Sequence, residues 1–372
     1  MKVLHTGDVH LGMTFRNRNY PQQLREALVK ARVEVLSRLV ELANEENCQL
    51  FLVAGDLFHR TNVSQEYVLS ALEILSSFNG GCVAVMPGNH DFFDEYSPLW
   101  KTMSEHAFDH LLILDQAAPY DLREFNLNLA LYPAPCNSKH SRENRVGWLK
   151  ECKDKPPVKW HLGAAHGTVK GVSPDTELRY FPMEEEELRQ LGLHHWCLGH
   201  IHARHPDLDI VRESPFTYPG TPEPDGFDCT HNGFARIISL DDNGNFESRS
   251  YSTGRFRFKE LKLEMSDLKD MQNLIENWGK KAEHTLLKLK LFGSLSREEY
   301  YNKGEVYNAL MDSFAYVELD DSELNMQITP EVISEEFREG SFPHLLLSRL
   351  AQREETEALQ MAYEFIREVK GE

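Results

Sequence analysis

The sequence predicts an α/β architecture: a layered sandwich built on a mixed sheet with helices outside, then a smaller α/β block and a helical tail. Three observations predict it. Short apolar runs bounded by Gly or Pro read as buried strands, amphipathic segments alternate with them, and an antiparallel hairpin follows.

The first run, Val3-Leu4-His5-Thr6, leads into Gly7-Asp8-Val9-His10. Leu24, Leu28, Val35, Leu39 and Leu42 then recur at helical spacing across 24–43. The run 50–54 ends in Gly55-Asp56, and a second helical stripe covers 68–78. The run 83–86 ends in Pro87-Gly88-Asn89-His90-Asp91, 161–165 ends in His166-Gly167, and 196–198 ends in Gly199-His200-Ile201-His202. Strands alternating with helices imply largely parallel pairing. In such sheets ligands bind at the carboxyl ends of the strands, so five distant endings can deliver oxygen and nitrogen donors to one place. The residues 234–240 and 246–251, joined through Asp242-Asn243-Gly244, read as an antiparallel hairpin, which makes the sheet mixed.

A first unit over 1–254 would then give way to a βαβαβ block over 255–328. Its expected strands are 256–265, 286–292 and 316–319, with helices opened by Ser266 and over 304–314. The segment 329–372 reads helical, broken at Gly340 and Pro343. Its last stretch from Glu354 places Leu359, Ala362, Tyr363, Ile366 and Val369 on one face. The run Glu184 to Glu187 fits the first turn of a helix, where carboxylates favour the dipole.

The 372 residues are 41% apolar, enough for two or three domains, and no stretch approaches the roughly 20 apolar residues that span a bilayer. No signal peptide is expected ahead of the first strand. Cys48, Cys82, Cys136, Cys152, Cys197 and Cys229 form no C-x-x-C pair and read as reduced thiols of a cytoplasmic protein, with Cys82 and Cys197 in the core. The formal charge of −19 argues against nucleic-acid binding over the whole surface but leaves room for a local basic groove.

The ordered set Asp-x-His, Gly-Asp, Gly-Asn-His-Asp, strand-ending His-Gly and Gly-His-x-His resembles the calcineurin-like metallophosphoesterases. The resemblance implies a four-layer sandwich and two divalent ions, about 3.5–4 Å apart, that neutralise the phosphoryl charge. By the matching motifs, Asp56 bridges the ions, Asp8, His10 and His202 complete one site, and Asn89, His166 and His200 complete the other. The donor mix suits Mn²⁺, two per chain, with Fe²⁺ or Mg²⁺ as substitutes. His90 takes the family's general-acid position at the rim. Asp91 either orients His90 or a ligand, or caps a turn.

Asp8-Val9-His10-Leu11-Gly12, Gly55-Asp56-Leu57-Phe58-His59, Gly88-Asn89-His90-Asp91 and Tyr218-Pro219-Gly220-Thr221 are similar to the DNA-repair nucleases of the SbcD type. That likeness implies a DNA exonuclease and single-strand endonuclease, 3′→5′ in polarity and homodimeric. It also implies a small α/β capping domain that shapes the DNA groove, and a tail that binds an SbcC-like coiled-coil ATPase. In that family the His at the position of His59 assists catalysis; otherwise it caps a helix. Candidate DNA contacts are Arg16, Arg18, Tyr20, Arg60, Lys139, His140, Arg142 and Arg145, on loops after motif strands. A phosphatase or phosphodiesterase acting on a small nucleotide or lipid headgroup would use the same metals. The acidic charge favours that alternative, and the extra C-terminal elements oppose it. A non-catalytic module with this fold is opposed by the complete donor set.

Overall fold

The computed structural model describes residues 1–172, 177–242, 245–353 and 355–370. The chain divides into two compact units, Met1–Phe258 and the residues from Lys259 onward. In chain order the first unit contains β1 (Lys2–Thr6), α1 (Gln22–Glu45), β2 (Leu50–Ala54), α2 (Gln65–Ser76), β3 (Cys82–Met86), α3 (Pro98–Glu105) and β4 (Leu111–Ile113). It continues through β5 (Tyr120–Asp121), β6 (Leu129–Ala134), β7 (Trp160–His166), α4 (Glu185–Gln190), β8 (His195–Gly199), β9 (Ile210–Val211), β10 (Phe216–Thr217), β11 (Phe234–Leu240) and β12 (Phe246–Ser252).

One sheet runs β4-β3-β2-β1-β11-β12-β9 and a second runs β10-β8-β7-β6-β5. The pairs from β1 to β4 and from β6 to β8 and β10 are parallel, whereas β11 pairs antiparallel with β1 and with β12. The sheet is therefore mixed, and β11 with β12 forms the expected hairpin. Its turn residues Asn243 and Gly244 lie outside the described residues.

Strand alternation explains why the motif strands are apolar throughout. Neighbouring side chains point to opposite faces, and here both faces are covered. Val3, Leu50, Leu52, Cys82 and Ala84 pack between the sheets against Leu129, Leu131, Leu162 and Cys197. Leu4, Phe51, Val53, Val83 and Val85 pack instead under the helices, against Val35, Leu39, Val68, Leu72 and Trp100. On the far side of the second sheet, Tyr132, Trp196 and Leu198 meet Leu188 and Leu191. The result is four layers: helix, sheet, sheet, helix. Three glutamates occupy the first turn of α4. All six cysteines are free, with Cys82 and Cys197 fully buried. Among the described residues no helix is long and apolar enough to cross a membrane.

The second unit is reached through β13 (Arg257–Met265), then α5 (Lys269–Trp278), β14 (Thr285–Leu295), α6 (Arg297–Ser313) and β15 (Tyr316–Met326). The strands order as β13-β14-β15, with β14 parallel to β15. Several boundaries differ from expectation. Ser266 does not open the helix; its N–H and hydroxyl donate to Asp270, and α5 begins at Lys269. The next helix starts at Arg297, not 304, because Ser296 and Glu299 form a reciprocal capping box. The third strand runs on to Met326.

The tail comprises α7 (Pro330–Glu336), α8 (Phe342–Gln352) and α9 (Thr356–Lys370). Gly340 separates α7 from α8 with φ of 76°, whereas Pro343 sits in the first turn of α8 and starts that helix instead of breaking it. Glu354 lies outside the described residues. Leu359 and Tyr363 are buried with Val332, Ile333, Phe337 and Leu347. Val369 corrects the expected face: it is 72% exposed, in line with exposed Met361 and Phe365 at four-residue spacing.

Candidate metal centre

The site is assembled by backbone before any side chain is counted. The loop after β1 is zipped to the loop after β2: Asp8 N–H donates to Gly55 O at 3.1 Å and His10 N–H to Asp56 O at 3.0 Å. Leu11 N–H donates to Leu57 O, and His59 N–H to Leu11 O, both at 2.9 Å. Asp8, His10 and Asp56 adopt φ of 54°, 52° and 54°, and His200 adopts 97°. These are left-handed conformations that side chains seldom take, and they cluster where function holds strained backbone. Gly55, at φ 90°, lies so close to His166 that any Cβ would collide with the ring, and a Cβ on Gly88 would strike Asp56.

The seven sequence-derived donors converge in two groups. Around the first, His10 Nε2 lies 3.2 Å from His202 Nε2, and these nitrogens lie 4.0 and 3.7 Å from Asp8 Oδ1. Around the second, Asn89 Oδ1 lies 3.0 Å from His166 Nε2 and 3.1 Å from His200 Nδ1. Asp56 Oδ2 stands between the groups, 3.7 Å from His10 Nε2 and 3.4 Å from His166 Nε2. Its Oδ1 accepts His90 N–H at 2.8 Å. The Asp8 carboxylate accepts His200 N–H at 3.0 Å, and Thr221 Oγ1 donates to Asp8 O at 2.9 Å.

Whether this set fits cations can be judged from its charges. Asp8 and Asp56 are 0% and 1% exposed, and among the described residues neither forms an ion pair with a lysine or arginine. Burying such charges uncompensated is costly. Burial raises the Asp8 carboxyl, whereas at Asp56 burial is outweighed by His166, His10 and His90, which hold it below the usual carboxylate range. His166 Nδ1 faces Ala54 O at 2.8 Å and His202 Nδ1 faces Asp225 Oδ2 at 3.3 Å, so each ring turns Nε2 inward. Burial lowers both imidazoles but Asp56 and Asp225, respectively, raise them, and a bound cation would take Nε2 in place of its proton. Two buried carboxylates, an amide oxygen and inward imidazole nitrogens fit a pair of divalent cations.

A sequence profile described as calcineurin-like phosphoesterase matches residues 1–204. The chain belongs to the calcineurin-like phosphoesterase family. Members of this family are hydrolases of phosphoesters with a dinuclear metal centre, and the residues above are this chain's candidates to hold it. The "Uncharacterized metallophosphoesterase YhaO" of Bacillus subtilis is 24% identical over 79% of this chain and 69% of its own length. "DNA double-strand break repair protein Mre11" of Methanopyrus kandleri is 25% identical over 60% of this chain and 49% of its own. A component of the nuclease SbcCD of Bacillus subtilis is 31% identical over 30% of this chain and 27% of its own. The chain thus spans about half the length of the archaeal relative.

Within the phosphoesterase centre, His90 and His59 stand half-buried at the rim, with ring centroids 5.2 Å apart at 26°. Burial, helped by His90 and Arg60, lowers the His59 imidazole to about 4. Among the described residues no hydrogen bond joins the Asp91 carboxylate to the His90 ring. The buried Asp91 carboxylate accepts the N–H of Gly88 at 2.7 Å, Phe58 at 2.9 Å and Asp56 at 3.3 Å, so it ties the two loops together through backbone. Burial and then Asp56 raise it to about 7.

Arg16, Arg18 and Arg60 are exposed and line a cavity of about 360 Å³ with His59, His202, Asp225 and Asp228. Lys139, His140 and Arg142 are exposed, and the Lys139 carbonyl faces Asn89 Nδ2 at 3.4 Å. One candidate contact is corrected. Tyr20 is buried at 7% exposure, because it follows a loop that turns back into the core. Arg145 is half-buried, donates Nε–H to Pro135 O and pairs with Glu143.

Sequence reasoning missed Arg32 and Asp225. Arg32 shares the buried stripe of α1 with Leu28, Val35, Leu36 and Leu39, a legible signal. Asp225 follows no apolar run and gave no such signal.

Proposed function

We propose that this phosphoesterase is a Mn²⁺-dependent DNA nuclease that hydrolyses phosphodiester bonds, 3′→5′ from ends and endonucleolytically in single strands. The observation that carries the reading is the rim: a stacked His59–His90 pair beside a cavity bordered by Arg16, Arg18 and Arg60. Guanidinium groups there suit sequence-independent contact with backbone phosphates. The similarity to a protein named for double-strand-break repair and to a nuclease component supports the same substrate class.

Bound divalent ions would neutralise phosphoryl charge and lower the pKa of an attacking water. Asp8, His10, His202, Asn89, His166, His200 and the intervening Asp56 would hold them. His90 Nδ1 is 3.0 Å from the His59 carbonyl, so its Nδ1 proton is retained by that acceptor. Nε2 is then the nitrogen that gives its proton to the leaving 3′ oxygen, and the neutral Nδ1–H tautomer remains. His59, stacked on it, would position the scissile phosphate.

In this reading the residues 255–328 border the DNA as a capping domain, two copies of the chain associate, and 329–372 bind an SbcC-like ATPase. The exposed stripe Met361, Phe365 and Val369 supports a docking role for α9. The charge of −19 instead favours a small nucleotide or lipid headgroup as the phosphodiester. End-labelled hairpin DNA and a simple phosphomonoester, each with Mn²⁺ and with EDTA, separate the two. Mn²⁺-dependent nucleotide release from DNA is expected. Turnover of the phosphomonoester alone sinks the nuclease reading.

A further inference from the structure

Asp225 sits where three groups fix it from different sides. Its Oδ2 is 3.3 Å from His202 Nδ1 and 3.6 Å from Arg32 Nη2, and its Oδ1 accepts the Cys229 thiol at 3.2 Å. Arg32 is itself anchored, 1% exposed, donating Nη1–H to Val9 O at 2.8 Å and Nη2–H to Glu223 O at 3.1 Å. Val9 lies between Asp8 and His10, so one guanidinium spans the loop after β1 and the carboxylate behind His202.

On its other side, His202 presents Nε2 toward Asp8 Oδ1 and His10 Nε2. A ring with its proton on Nδ1, donated to Asp225, turns the Nε2 lone pair toward that group. A carboxylate behind an imidazole fixes ring orientation and raises the basicity of the far nitrogen. His10 has no such support: its Nδ1 is buried and, among the described residues, has no hydrogen-bond partner. The first group therefore depends on His202 for an imidazole whose tautomer is set.

We propose that Asp225, held by Arg32, is a positioning residue that fixes His202 as its Nδ1–H tautomer and so sets the cation affinity of the Asp8–His10–His202 group alone. The proposal rests on the metal centre proposed above. The Asn89–His166–His200 group has its own orienting contact, His166 Nδ1 on Ala54 O, and does not involve Asp225.

The experiment is Mn²⁺ titration of the EDTA-stripped full chain, followed by calorimetry and by electron paramagnetic resonance, for wild type, Asp225→Ala and Asp225→Asn. Wild type should take up two ions. Asp225→Ala should weaken one of them about 10–100-fold and leave the other within threefold, replacing the coupled two-ion signal with that of isolated Mn²⁺ at low loading. Asp225→Asn should fall between, because its amide oxygen still accepts Nδ1–H while the charge is gone. Melting of each metal-free variant is recorded alongside, and the near-isosteric Asn variant keeps the test sound if the Ala variant melts early. Wild type binding two ions with both variants unchanged overturns the proposal, as does equal weakening of both ions. A thiolate-to-metal band on Co²⁺ loading that Cys229→Ser abolishes also overturns it, since Asp225 and Cys229 would then be ligands themselves. Wild type binding fewer than two ions removes the metal centre and this proposal together.

Discussion

His90 Nδ1 lies 3.0 Å from the carbonyl oxygen of His59, and this contact decides which nitrogen of His90 is free to act. The backbone N–H of the same residue is bound to Asp56 Oδ1 at 2.8 Å. In the proposed nuclease, this one residue would serve the centre through its main chain and the leaving group through its ring. His90→Gln keeps the first contact and removes the second function. It should retain two Mn²⁺ per chain while turnover falls about 10²–10⁴-fold. Metal content and single-turnover rate, measured on the same sample, check both halves; unchanged turnover removes the assigned role.

Gly88 has no room for a side chain because Asp56 stands against its Cα, through both carboxylate and backbone nitrogen. Asp56 cannot step aside freely, since its N–H is bound to Asp91 and its oxygens face His90, His10 and His166. Gly88→Ala should therefore displace the carboxylate that lies between the two groups. The expected outcome is loss of at least one of two Mn²⁺ ions, read by elemental analysis after loading and desalting. Retention of both would mean that the loop relaxes without moving Asp56.

Asp91 offers a stability test of loop closure. Both of its oxygens accept backbone N–H groups, so an amide cannot satisfy all three donors. Asp91→Asn should leave one buried N–H facing an NH₂ group and cost about 1–3 kcal/mol. The comparison belongs above pH 8, where a carboxyl raised to about 7 is ionised. A lower melting temperature of the metal-free protein is expected; an unchanged one would mean that Asp91 does not tie the loops.

The convergence of distant donors was readable because a buried parallel strand announces both its direction and its end. Gly55-Asp56 and Gly199-His200 each close such a strand; parallel pairing brings like ends together within each sheet, and the packing of the two sheets on one another brings both sets to one place. What the pattern could not carry was anything arriving from outside a strand end. Asp225 reaches His202 from a loop of Pro and Gly, and only tertiary packing creates that contact. Tyr20 failed in the opposite sense: an aromatic on a loop after a motif looked available, yet burial had claimed it. In the tail, helical periodicity identified Leu359 and Tyr363 correctly but could not rank two apolar stripes, and Val369 fell on the exposed one. Helix starts shifted where capping, as at Ser296, decided the boundary ahead of apolar spacing.

Away from the centre, His195 carries a pH dependence of stability. It is fully buried at the start of β8, its Nδ1 on Ser214 O at 3.1 Å and its Nε2 on Thr217 Oγ1 at 2.9 Å. Burial lowers its imidazole to about 3, with the Arg236 guanidinium adding to the effect and the Ser214 carbonyl opposing it. His5, also lowered by burial, feels His195 and Arg236 as neighbours. Because the folded value lies below the unfolded value of about 6.5, the unfolded chain binds the extra proton. Stability from this residue is present above about pH 6.5 and is lost as pH falls from there toward about 3. Between pH 7.5 and 5.0 the loss amounts to about 2 kcal/mol, at roughly 1.4 kcal/mol per unit. His195→Gln keeps a polar group near Thr217 and cannot titrate. In EDTA, its fall in melting temperature over that interval should be smaller than wild type's by about 4–8 °C for a unit of this size. Parallel curves for the two proteins would show that His195 takes up its proton equally well in the folded state.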